Sequence, residues 1–159
     1  MRTKIKVEIT EPGLYLDSDV TYAQVPSWFG HTTEDLKMSI IRHYENQPKP
    51  MPLLIWLCGG AWLQLDHNAH LPEFFAMAKH GFVIASVQYR LSNEAMFPAQ
   101  LEDVKAAIRY LRKNAARYQI DPGHIGIMGE SAGGHLSSMA GVTGETRQFD
   151  KGENLEQSS

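Results

Sequence analysis

Five residues in the last third of the chain, Gly129-Glu130-Ser131-Ala132-Gly133, have the types and spacing for nucleophilic chemistry. A serine framed by glycines in this way fits a sharp turn from a strand into a helix, which leaves its Oγ exposed above the sheet. The flanking positions call for glycine because a Cβ there would collide with the neighbouring strand or helix. The surrounding sequence agrees: Ile125-Gly126-Ile127-Met128 reads as a short buried strand, and Gly134 to Ala140 as the start of a helix. That helix would point its positive end at the reaction centre, where negative charge develops as a carbonyl is attacked. Ser131 is the candidate nucleophile, with Gly129 and Gly133 supporting the turn.

A serine hydroxyl is a weak nucleophile until a base takes its proton. Where this turn occurs, the acid and the histidine usually follow the serine in chain order. Of the seven histidines, His31, His43, His67, His70, His80 and His124 precede the turn. His135 follows Ser131 by four residues, on a helix that leads away from Oγ, and reads as a packing residue. The base is therefore expected from outside this chain.

Attack on a carbonyl also needs N–H donors for the developing oxyanion, with no bulky side chains in the way. Cys58-Gly59-Gly60-Ala61-Trp62 ends an apolar run, Leu53 to Leu57, and supplies such a stretch. Gly60, Ala61 and Ala132 are the candidate oxyanion donors, with Gly59 permitting the turn. Trp62 and Glu130 are candidate walls of a substrate pocket. Cys58 reads as a small buried residue at a strand end, since no histidine has the context to activate it. Asp66-His67-Asn68-Ala69-His70 sets two histidines three apart beside a carboxylate, but no Cys or third histidine accompanies them, so it reads as a loop at the pocket mouth; no metal or other cofactor is expected.

The elements that must position these residues follow from periodicity. Residues 4–10 alternate like a strand, Thr21 to Trp28 is ambiguous, and Glu34 to Tyr44 alternates with Leu36, Met38 and Ile40 on one face. Leu53 to Leu57 and Phe82 to Val87 are continuous apolar runs, as in parallel strands covered on both faces. Leu71 to His80 reads as a helix, with Pro72 near its start and Gly81 ending it. Pro98 opens a clear amphipathic helix, with Leu101, Val104, Ile108 and Leu111 on one side and Glu102, Lys105, Arg109 and Arg112 on the other. Asp121-Pro122-Gly123 breaks the chain before the nucleophile strand, and residues 144–159 read as a polar surface loop or frayed tail.

Strands alternating with helices build a mostly parallel sheet with helices on both faces. The expected organisation is one α/β domain over 1–159, incomplete at its C-terminal side: N-terminal strands in 1–45, a strand–helix core over 53–141, and a polar tail. If no strand follows the nucleophile strand, its edge is left open, which invites an oligomer or a complementary C-terminal half.

Composition narrows the partners. A net charge of −3 without Lys/Arg clusters argues against nucleic acid. No apolar run is long enough to span a bilayer or serve as a signal peptide. A single cysteine allows no internal disulfide, which fits a cytoplasmic location.

Taken together, Trp56-Leu57-Cys58-Gly59-Gly60-Ala61-Trp62, Tyr89-Arg90-Leu91, Phe97 to Val104 and Gly129 to Gly134 resemble the α/β-hydrolase superfamily. Within it the chain is similar to carboxylesterases related to hormone-sensitive lipase and to the bifunctional xylan/ferulate esterase group. The resemblance covers about residues 30 to 145 and matches an N-terminal half. It implies hydrolysis of small to medium carboxylic esters through an acyl-enzyme on Ser131, with no cofactor. It also implies a triad acid and histidine that nothing in this sequence matches. The family usually has His-Gly-Gly-Gly where this chain has Cys58-Gly59-Gly60-Ala61. The alternatives are a catalytically silent fragment that acts by association, and a serine peptidase of the same fold.

Overall fold

The computed structural model describes Ile5, Glu8 and residues 10–44 and 47–159. The alternation expected over residues 4–10 falls largely outside the described residues. The five strands are β1 (Leu14–Pro26), β2 (Thr33–His43), β3 (Met51–Leu57), β4 (Val83–Val87) and β5 (Ile120–Gly129). Four helices accompany them: α1 (Leu71–Ala78), α2 (Ala99–Lys113), α3 (Ala115–Tyr118) and α4 (Ser131–Val142).

One sheet holds all five strands in the order β1-β2-β4-β3-β5. β3 pairs in parallel with both β4 and β5, whereas β2 is antiparallel to β1 and to β4. β2 alone therefore runs against the others, and the sheet is mostly parallel. Its apolar runs are covered on both faces. Met51, Leu53, Ile55 and Leu57 of β3 join Leu101, Val104, Ile108 and Leu111 of α2 and Leu136 of α4 in the main core. Leu54 and Trp56, one residue out of phase, face Phe74 and Ala78 of α1 in a smaller cluster.

Three features depart from the sequence reading. β1 takes in Thr21 to Pro26 of the ambiguous Thr21–Trp28 stretch and starts well before it, with register irregularities between Asp17 and Val20 and between Thr21 and Ala23. Asp121-Pro122-Gly123 does not separate the helix from β5 but bulges within it: Ile120 pairs with Met51 and the ladder resumes at Ile125 opposite Leu53.

The polar side of α2 is not solvated. Lys105 and Arg109 are fully buried, because residues 144–159, though without helix or strand, lie across them. Asp150 accepts from Arg109 Nη1 at 3.2 Å and lies 3.5 Å from Lys105 Nζ. Lys105 also donates to the Thr143 carbonyl at 3.0 Å, and Arg109 to the carbonyls of Glu153 and Lys151. The segment is a docked strap rather than a frayed tail.

β5 ends the sheet, and its outer edge has no partner strand among the described residues. No helix among them is long and apolar enough to cross a membrane.

Candidate active site

The sheet register itself brings the two halves of the site together. Leu57, the last residue of β3, pairs with Gly129, the last residue of β5, so the loops that follow leave the sheet side by side. Neighbouring strands lie about 4.8 Å apart, so whatever follows Leu57 must pack against whatever follows Gly129.

The turn after β5 is the strained one the sequence pointed to. Glu130 is extended (φ −110°, ψ 147°) and caps α4, and Ser131 then takes φ 49°, a left-handed conformation. Such a φ is uncommon for a residue with a Cβ and persists only where its surroundings force it. The force comes from close packing behind the turn. A Cβ on Gly133 would lie 2.0 Å from the Leu57 carbonyl oxygen, and one on Gly129 2.6 Å from the same atom. Both glycines let α4 press directly on the end of β3. Ser131 is exposed at the sheet edge, with its hydroxyl bonded to no imidazole among the described residues.

The loop after β3 faces this turn. A Cβ on Gly59 would sit 3.0 Å from the Glu130 carbonyl oxygen and 3.2 Å from Ser131 Cβ. Gly60 takes φ 138° and Ala61 and Trp62 take 54° and 60°, three left-handed residues in a row. The two glycines thus divide the work differently from the sequence reading. Gly60 makes the turn, and its own Cβ would strike the Gln64 carbonyl oxygen at 2.0 Å, while Gly59 gives the close approach to the serine. Leu63 and Gln64 donate their N–H groups back to the Gly60 carbonyl, at 3.0 and 3.3 Å. The N–H groups of Gly60 and Ala61 donate to no protein acceptor among the described residues. Ala132 is buried in the first turn of α4, where N–H groups lack intrahelical partners.

Supporting contacts come from β2, from β4 and the residues after it, and from α2. Tyr89 donates its hydroxyl to the Cys58 carbonyl at 2.6 Å, and burial pushes this phenol up to about 12. Arg90 grips Asp103 of α2 with two nitrogens, so Tyr89 and Arg90 tie the loop to the elements behind it. Ser39 and Ser86, paired across β2 and β4, hold the next loop through Asn68 Oδ1 and the His67 carbonyl, each at 2.6 Å. Cys58, Gly59, Gln64, Leu65 and Asp66 line an open cleft of about 310 Å³ beside the serine turn. Burial raises the Cys58 thiol; a backbone hydrogen bond from Asp66 works against this, and the negative charges of Glu130 and Asp66 add to the rise.

The histidines go to separate places. His67 lies 4.0 Å from Asp19, and burial lowers its pKa. His70 lies 3.6 Å from Glu130 and stands edge-on to Trp56. His135 stands edge-on to Trp62, at 5.5 Å between ring centroids and 86° between planes. His135 is exposed, and this edge-on ring contact is what the structure gives it. The contacts of His70 and His135 were not legible in the sequence, because they join side chains 60 and 73 residues apart.

The sequence profile of the BD-FAE family matches residues 39–159, most of the chain and all of the site. The chain belongs to the BD-FAE family. This BD-FAE chain is 34% identical over 116 residues to the esterase LipC of Mycobacterium tuberculosis, a match covering 70% of the chain and 28% of LipC. It is also 34% identical over 124 residues to neutral cholesterol ester hydrolase 1 of Bos taurus, covering 72% of the chain and 29% of that enzyme. Among solved structures, a bifunctional GH43-CE protein of Bacteroides eggerthii superposes with a TM-score of 0.71 at 35% identity, over 86% of this chain and 19% of that one. A truncated carbohydrate esterase from gut microbiota gives 0.64 at 36% identity, over 94% and 50%. The BD-FAE chain thus spans less than a third of these two curated relatives. Its fold is a partial α/β-hydrolase fold, matching that of its esterase neighbours in an N-terminal region.

Proposed function

We propose that this chain carries the nucleophile and oxyanion-binding part of a serine carboxylic-ester hydrolase acting on small to medium esters. The observation that carries the reading is the left-handed Ser131 (φ 49°) at the strand–helix turn, with Gly59 packed against it. In this mechanism Ser131 Oγ attacks the ester carbonyl. The oxyanion is held by the N–H groups of Gly60, Ala61 and Ala132, and the alcohol leaves to give an acyl-serine that water then hydrolyses. A histidine from outside the 159 residues takes the serine proton and passes it to the departing alcohol, and an acid orients that histidine. Trp62 and Glu130 border the acyl and alcohol sites, and no cofactor takes part. The open β5 edge supports a complementary C-terminal half or a second subunit as the source of the base.

The test is acylation by p-nitrophenyl acetate, read by mass on the peptide that contains Ser131, in the wild-type chain and in Ser131→Ala. Oxyanion binding and substrate positioning without a complete triad retain about 10³–10⁴-fold over water, so slow acetylation confined to Ser131 is expected. Acetyl groups spread over lysines at the same rate in both proteins would overturn the reading in favour of a silent fragment. Multiple turnovers abolished in Ser131→Ala would place a working base within reach of Ser131 in the chain or its oligomer.

A further inference from the structure

The loop after β3 holds three consecutive left-handed residues, and only Gly60 is a glycine. Ala61 and Trp62 each disfavour that conformation, so a contact beyond the loop must help to hold it. Two contacts do so. Ser92 donates its N–H to the Trp62 carbonyl at 2.8 Å, which fixes the backbone from the β4 side. The indole, itself packed on the main core, meets the His135 ring edge-on at 5.5 Å and 86°. His135 is one turn along α4 from Ser131, on the helix that α4's glycines press against β3.

The positions of these two residues matter. Trp62 directly follows Ala61, and His135 lies three residues beyond Ala132, so the ring pair joins the loop bearing two of the proposed oxyanion donors to the helix bearing the third. A ring pair of this geometry is worth about a 2- to 12-fold factor in an equilibrium, comparable to the bias against one left-handed residue. Together with the Ser92 bond, it therefore offsets part of the bias against Ala61 and Trp62. We infer that Trp62 and His135 form an aromatic clamp that positions the oxyanion loop against the nucleophile helix, with His135 a positioning residue and not a base.

The clamp's catalytic consequence rests on the acyl-transfer reading, so the experiment has one arm that needs activity and one that does not. In the first, Ser131 acylation by p-nitrophenyl acetate is separated into its saturating rate and its half-saturation concentration. Trp62→Ala and His135→Ala should each lower the saturating rate, by up to about tenfold; in His135→Ala, which leaves the pocket wall in place, half-saturation should change less than about twofold. The double variant should be no slower than the slower single one, because both remove the same contact. His135→Phe keeps the edge contact without a titratable nitrogen and should restore the rate to within about twofold.

In the second arm, the backbone amide resonances of Gly60 and Ala61 should shift in His135→Ala and stay near wild type in His135→Phe. Losses that multiply in the double variant would overturn the clamp, as would a His135→Phe protein as slow as His135→Ala. If wild-type Ser131 is not acylated at all, the hydrolase reading falls and the amides alone judge the clamp: unmoved Gly60 and Ala61 signals refute it. A thermal midpoint recorded for each variant separates loss of the contact from loss of the fold.

Discussion

Gly133→Ala and Gly141→Ala place the same methyl group on the same helix, yet the structure gives them opposite signs. At Gly133 the new Cβ would lie 2.0 Å from the Leu57 carbonyl oxygen, 2.5 Å from its carbon and 2.9 Å from the Cys58 carbonyl oxygen. All three are backbone atoms at the end of a central strand, so no side-chain rotation relieves the clash. Ordinary carbon–oxygen contact needs roughly 3.4 Å, so α4 must retreat from β3 by more than about 1 Å. Overpacking of a tight core costs about 1–3 kcal/mol, and a clash against two consecutive carbonyls belongs at the upper end, about 3 kcal/mol.

Gly141 has nothing within 4 Å of its would-be Cβ and lies exposed near the end of α4. Alanine there gains helix propensity, about 0.5–1 kcal/mol. For a domain of this size each kcal/mol moves the thermal midpoint by about 2–4 °C. Gly133→Ala should therefore fall by roughly 6–12 °C and Gly141→Ala rise by about 1–4 °C. The assay is thermal and urea unfolding of the three proteins side by side, with Ser131 acylation as a second readout. A Gly133→Ala protein within about 0.5 kcal/mol of wild type would refute the close-approach argument and, with it, the reason Ser131 is strained.

Other consequences follow from single contacts. Tyr89→Phe removes the buried 2.6 Å bond to the Cys58 carbonyl and should cost about 1–2 kcal/mol in urea unfolding, with a loss of Ser131 acylation beyond that expected from stability. Asp150→Asn leaves Lys105 and Arg109 buried without their shared carboxylate and should destabilise the chain by about 3 kcal/mol; a change below about 1 would contradict the docked strap.

Acid should release the same strap. Burial works to raise the Asp150 pKa, but the Ser159 hydroxyl, Lys105 and Arg109 outweigh it and hold the carboxyl below its ordinary value of 3.8. Because the folded pKa is the depressed one, its stabilisation is present above about pH 4 and is lost as pH falls through the folded value. Limited proteolysis with pepsin across that range should cut residues 144–159 first in wild type. In Asp150→Asn the same segment should already be cut faster than in wild type at the upper end of that range, with each pH normalised to pepsin's activity on an unfolded reference; the Lys113–Glu156 pair leaves a smaller acid dependence.

Local pattern was enough to place the serine turn between β5 and α4. The pattern of Gly129 to Gly133, on which the proposed chemistry rests, is contained in five consecutive residues, and a strand running into a helix leaves one way to seat them. The continuous apolar runs at β3 and β4 and the periodicity of α2 were equally plain, since burial on both faces and a three-to-four spacing are written residue by residue. β1 was harder to read because its bulges break the two-residue alternation that identifies a strand.

Other features depend on residues far apart in the chain, and these only the tertiary structure decided. Lys105 and Arg109 have the pattern of a solvated helix face, and nothing local shows that Asp150, more than forty residues on, covers both. The division of labour between Gly59 and Gly60 depends on which backbone each one meets, the serine turn or Gln64. Likewise the ring of His135 finds Trp62, and that of His70 finds Glu130, only because Leu57 and Gly129 end adjacent strands in register. Sequence specifies chemistry where the reacting residues are neighbours in the chain, whereas long-range packing decides which distant groups hold them in place.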